Sequence, residues 1–125
     1  MIYTRRVYEV ESQTKGKVFL VDRMWPRGVK KQELKIDGWL KEAAPSTELR
    51  RWLHGQPEQW PEFKHRYYEE LDRKAEAWKP ILKAAKSGDL TLLYGSKDTE
   101  HNNAVALKTY LERLLGEPGK AERKS

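Results

Sequence analysis

The chain reads as an α/β protein, a small three-layer sandwich with a short, mostly parallel sheet flanked by helices, and three observations predict it. Residues 18–21 (V-F-L-V) and 90–94 (L-T-L-L-Y) are continuous apolar runs rather than alternating ones, the pattern of strands covered on both faces. The sequence between them carries apolar positions at helical spacing. The resulting order of strand, strand, several helices, strand and helix leaves a long crossover between the second and third strands, which makes them parallel neighbours.

Residues 7–10 (V-Y-E-V) are the expected first strand, joined to the second by the polar connection S-Q-T-K-G-K with Gly16 near its end. Residues 30–43 predict an amphipathic helix bearing Leu34, Trp39 and Leu40, weakened by Gly38 and ended by Pro45. Ser46 is an N-cap for the next helix, in which Leu49, Trp52 and Leu53 share a side. From Pro57 to Lys86, Trp60, Phe63, Tyr67, Leu71, Ala75, Trp78 and Leu82 form one face of a long helix, with a kink or break expected near Lys79 because Pro80 lacks an N–H. Asp98 or Thr99 is the expected cap of a last helix carrying Asn103, Leu107, Tyr110, Leu111 and Leu114 and stopped by Gly116. Residues 1–116 therefore read as one domain, and residues 117–125 as a flexible polar tail.

Lys and Arg number 25 against 19 Asp and Glu, a net charge of +6 that favours anionic partners. Cysteine is absent, so disulfides, thiolate metal sites and cysteine nucleophiles are excluded, and a reducing cytoplasm suits the chain. No apolar leader follows Met1 and no apolar run is long enough to span a bilayer, so a cytoplasmic protein without membrane contact is expected.

The candidate site lies where ligands sit in parallel sheets, at the carboxyl ends of strands. After residues 18–21 come Asp22, Arg23, Trp25, Arg27 and Gly28; after residues 90–93 come Tyr94, Ser96, Asp98, His101 and Asn102. Parallel pairing would gather both loops on one rim. Arg23 and Arg27 suit bidentate recognition of phosphate or carboxylate, the alternative being ion pairs that fix the loop. Asp22 is a general base, a metal carboxylate or a structural partner of a nearby arginine. Trp25, held extended by Pro26, either stacks on a ligand or anchors its loop. His101, near a helix start where the dipole disfavours its cation, either moves protons or bonds the loop backbone. Asp22 and His101 are thus the catalytic candidates; Arg23, Trp25, Arg27, Gly28, Tyr94, Ser96, Asp98 and Asn102 are the ligand-binding ones. No metal-ligand spacing, dinucleotide or Walker loop, or nucleophile elbow around Ser96 is present, so no metal is assigned and no cofactor is identified. These residues predict a binder of a phosphate-bearing or nucleotide-like anion, with or without turnover. A basic nucleic-acid-associated module without catalysis is the alternative.

Four ordered blocks, V-D-R-M-W-P-R-G-V, W-L-K-E-A-A-P-S-T-E-L-R-R-W, W-P-E-F-K-H-R-Y-Y-E-E-L and L-T-L-L-Y-G-S-K-D-T-E-H-N-N-A, resemble the YeaO-like branch of the domain-of-unknown-function 488 family. The resemblance covers residues 3–115. It implies a small cytoplasmic α/β protein of bacterial or archaeal type, and brings no assigned activity. The family pattern matches at Asp22, Arg23, Trp25, Pro26, Arg27 and Gly28, at Trp39, Pro45, Ser46, Leu49, Arg50, Trp52 and His54, at Trp60, Phe63, Tyr67 and Leu71, and at Tyr94, Asp98, His101 and Asn102. Leu53 stands where the family more often has an aromatic residue. Other branches carry Cys-His-Arg after the last strand, and thiol chemistry cannot pass from them to a chain without cysteine.

Overall fold

The computed structural model describes residues 1–9 and 14–116; residues 117–125, read above as a tail, lie outside them. Four strands, β1 (Ile2–Arg6), β2 (Lys17–Leu20), β3 (Gly38–Trp39) and β4 (Leu90–Tyr94), form an all-parallel sheet in the order β1-β4-β2-β3. The helices are α1 (Thr47–Gly55), α2 (Trp60–Asp72), α3 (Ala75–Ser87) and α4 (Asn103–Leu115). The expected parallel pairing of the second apolar run with the last is present: Phe19 lies opposite Leu92 and Leu20 opposite Leu93. Both strands therefore end at the same rim.

Alternation along the strands splits the core in two. Phe19, Val21, Leu90, Leu92 and Tyr94 pack in one cluster with Phe63, Tyr67, Leu71, Ile81, Leu107 and Leu111 from the helices. Val18, Leu20 and Leu93 face the other way, against Val7, Leu34, Trp25, Ile36 and Trp39. The helices thus cover one face of the sheet, and the turns between β2 and α1 cover the other.

Three local expectations are corrected. The first strand is Ile2–Arg6; Val7–Glu9 form a 3-10 turn, and Val10 lies outside the described residues. Residues 30–43 contain no α-helix but two 3-10 turns, Lys31–Glu33 and Lys41–Ala43, around β3. Here the β2 edge outcompetes helical bonding: Asp37 N donates to Val18 O (2.7 Å), Leu40 N donates to Leu20 O (2.8 Å), and Val18 N donates to the Asp37 carboxylate (2.7 Å). The long helix breaks at Arg73 and Lys74, not near Lys79. The break lets the Trp78 indole donate to Leu71 O (2.8 Å) at the end of α2. Pro80 sits inside α3 on an exposed position, where water can satisfy the carbonyl a prolyl nitrogen leaves unpaired.

Candidate functional site

The loops after β2 and β4 open into a cleft of about 1030 Å³, at the upper end of the range typical of small-molecule sites, roughly 300–1,000 Å³. Its walls include Asp22, Arg23, Trp25, Arg27, Ser96, Asp98, His101 and Asn102, so the two halves of the predicted rim line one cleft. Gly28 and Tyr94 do not line it. Gly28 has a φ of +80° in the turn closed by Val29 N donating to Pro26 O (3.3 Å), a conformation that favours glycine. Tyr94 is 3 % exposed and belongs to the core, with burial pushing its hydroxyl pKa up.

Several candidates serve the scaffold of this cleft. Asp22 Oδ2 accepts from Gly95 N (2.8 Å) and Oδ1 accepts from Asn103 Nδ2 (3.1 Å), which also donates to Val21 O (2.8 Å). The carboxylate thereby ties the ends of β2 and β4 to the start of α4. Burial pushes its pKa up, and the contacts from Asn103 and Gly95 and the nearby Arg50 charge oppose that rise. The Arg23 guanidinium donates to the Pro45 and Ala44 carbonyls (both 3.3 Å) and lies 3.8 Å from Glu42, contacts that tie this arginine to the loop before α1. The Trp25 indole donates to Val29 O (2.6 Å) and meets Trp39 edge-on at 5.3 Å, so its ring anchors the loop.

At the start of α4 the cap is Asn102, not Asp98 or Thr99. Its side-chain oxygen accepts from Val105 N (2.9 Å) and its amide donates to Asp98 O (2.9 Å). Asp98 instead closes the preceding turn, its Oδ1 accepting from Glu100 N and His101 N (both 2.9 Å). Those two bonds hold the Asp98 carboxyl below the usual carboxylate range. A depressed folded-state pKa means stability that is present above the unfolded value and lost as pH falls through the folded one. Asp98→Ala is accordingly expected to cost about 1 kcal/mol at neutral pH, the net worth of side-chain hydrogen bonds that close an exposed turn. The gap from the parent should close in acid-range unfolding curves; a gap independent of pH would refute the assignment.

His101 is half exposed, with its Nδ1 3.8 Å from Asp98 and its ring stacked on Trp60 at a 5.0 Å centroid distance. Arg50, His54, Lys97 and Asn103 also line the cleft and are not among the candidate site residues of the sequence. Arg50 and His54 both belong to the matched family pattern. They are exposed, but one turn apart on α1, so they face the same cleft. Spacing alone could have grouped them, whereas Asn103 gave no signal beyond its place beside Asn102.

A short parallel α/β sheet with a basic cleft at its carboxyl rim defines the class of protein. The chain matches the model of the inactive DUF488-N3 subclade across residues 1–125, and it belongs to that family. It is similar to the uncharacterized protein YeaO of Escherichia coli, with 42% identity over 113 residues, 90% of this chain and 98% of that protein. It is also similar to the uncharacterized protein Mb3100c of Mycobacterium bovis and to Rv3073c of Mycobacterium tuberculosis, each 49% identical over 106 residues, 85% of this chain and 89% of theirs. No solved structure matches the chain with significance. Among the described residues no helix is long and apolar enough to cross a membrane.

Proposed function

We propose that this chain binds a small phosphate-bearing anion in the cleft at the carboxyl ends of β2 and β4, and that it acts by binding rather than by turnover. The observation that carries the reading is the set Arg27, Arg50 and Lys97 on the cleft wall. Arg27 and Lys97 make no side-chain hydrogen bond or ion pair with another described residue, in contrast to Arg23. Cationic donors without acceptors in a concave, partly apolar site are what the oxygens of a phosphate satisfy. Four cationic side chains line the cleft against two carboxylates, so its field favours an anion even though the sheet end also holds Asp22.

Binding without turnover is supported by the engagement of Asp22, one of the two catalytic candidates: both of its carboxylate oxygens accept scaffold bonds. The subclade's description as inactive points the same way. The absence of cysteine favours a reducing compartment such as the cytoplasm.

Thermal unfolding with inorganic phosphate and with ribose 5-phosphate tests the reading. A ligand at 100 times its dissociation constant should stabilise the parent by about 2.7 kcal/mol, and the double variant Arg27→Ala, Arg50→Ala should remove that gain while unfolding cooperatively. If neither phosphate stabilises the protein and labelled single-stranded DNA or RNA binds below about 10⁻⁶ M near 0.15 M salt with a steep salt slope, a polyanion-binding module replaces this reading.

A further inference from the structure

Beyond the anion, the cleft carries features that a bare phosphate would not use. Phe63 stacks on Trp60 (centroids 5.2 Å, planes 17° apart) and Trp60 stacks on His101 (5.0 Å, 27°). Trp60 contacts both rings, so a column of aromatic planes rises from the buried Phe63 to His101 at the cleft wall. One face of the imidazole is covered by Trp60, and half of the side chain remains exposed. Apolar exposure gathers at the same place. Among the described residues the exposed large hydrophobics are Met1, Tyr8, Met24 and Leu114, and both Tyr8 and Met24 line this cleft. Tyr8 is held there by its hydroxyl, which donates to Arg27 O (2.8 Å). A planar apolar platform and a cationic set therefore occupy one cavity, and its volume exceeds what a phosphate or sugar phosphate needs.

We infer that the ligand is a phosphorylated planar heteroaromatic of the nucleotide class, whose ring stacks on the open face of His101 while its phosphate meets Arg27, Arg50 and Lys97. The inference rests on the anion reading above and adds to it the ring and the residue that selects it. His101 then contributes through its plane rather than through proton transfer. Tyr8 and Met24 give the ligand ring apolar contact at the cleft wall, with the Met24 thioether able to adapt to rings of different size.

Calorimetric titration of the full chain with AMP, GMP, CMP and UMP, each compared with ribose 5-phosphate, tests this. At least one nucleotide is expected to bind about tenfold or more tighter than the sugar phosphate, the size of one base stacked on one aromatic side chain. His101→Ala should bring that ratio close to one, and His101→Phe, which keeps a plane and loses the ring nitrogens, should retain it. Quenching of tryptophan fluorescence by the preferred nucleotide, weakened in His101→Ala, is the accompanying signature of a ring stacked beside Trp60. Ribose 5-phosphate binding as tightly as all four nucleotides overturns the inference and leaves the anion reading standing, as does a ratio that survives His101→Ala. Failure of inorganic phosphate, ribose 5-phosphate and all four nucleotides to bind overturns both.

Discussion

Replacing Phe63 with alanine is expected to destabilise the protein by about 3–5 kcal/mol, the cost of truncating a fully buried phenylalanine where the surroundings relax only in part. The ring is 2 % exposed, stacks on Trp60 and lies 5.8 Å from the Tyr67 ring. It also forms part of the cleft wall, so its removal would deepen the cleft and withdraw the support under Trp60 and His101. Against a total stability of about 5–15 kcal/mol the loss is a large fraction. Urea unfolding should show a lower midpoint with an unchanged slope. Glu69→Ala, exposed on α2 and away from this packing, should stay within about 0.5 kcal/mol. A Phe63→Ala cost below about 1 kcal/mol would show that the stripe on α2 is not what holds the helix to the sheet.

That stripe was legible because burial repeats with the helix. Phe63, Tyr67 and Leu71 recur at the period of a turn, and all three are buried as expected. The strands at residues 18–21 and Leu90–Tyr94 were legible for the same kind of reason, since a strand packed on both faces has no polar alternation to mislead the reader. The failures came where tertiary pairing decided the outcome. Residues 30–43 hold helix-compatible spacing, but β2 has an open edge, and Asp37, Gly38 and Leu40 bond to it. The first strand was misplaced because Ile2–Arg6 includes two arginines and sits at the sheet edge, where one-sided pairing tolerates charge. The break between α2 and α3 is accompanied by the Trp78 indole reaching Leu71 O, a contact no local propensity encodes.

The cleft was legible in outline, and the bonding of its residues was not. Strand polarity sufficed to bring Asp22 through Arg27 and Ser96 through Asn102 to one cleft. What each polar group bonds depends on distances that sequence does not contain. Arg23 and Arg27 are equivalent on paper, yet Arg23 is held by the Ala44 and Pro45 carbonyls while Arg27 faces the cleft. Asp98 and Asn102 were both candidate ligand groups; Asp98 closes the turn before α4 and Asn102 caps the helix. Arg50 enters from α1, a helix whose approach to the rim follows from packing rather than from any motif.

Asp22 is where fold and site depend on the same atoms, and Asp22→Ala is the second change expected to have a large effect. The substitution strands the Gly95 N–H and takes one acceptor from the Asn103 amide, which keeps Val21 O. A buried donor left without a partner costs about 1–3 kcal/mol. Removing the carboxylate also relieves a charge that burial already disfavours, which returns part of that cost. The net expectation is a loss of about 2 kcal/mol, governed by the stranded N–H and the severed tie between the strand ends and α4. Asp22→Asn should retain part of that loss, because its amide can accept from one donor but must place its own NH₂ against the other. Gly95→Ala probes the same contact from the opposite side, since an added Cβ would lie 3.1 Å from Asp22 Oδ2 and push the carboxylate off its donors. If Asp22→Ala unfolds at the parent's midpoint and Gly95→Ala is also neutral, the carboxylate is not the clasp of the rim. It would then have to be reconsidered as a group facing the ligand.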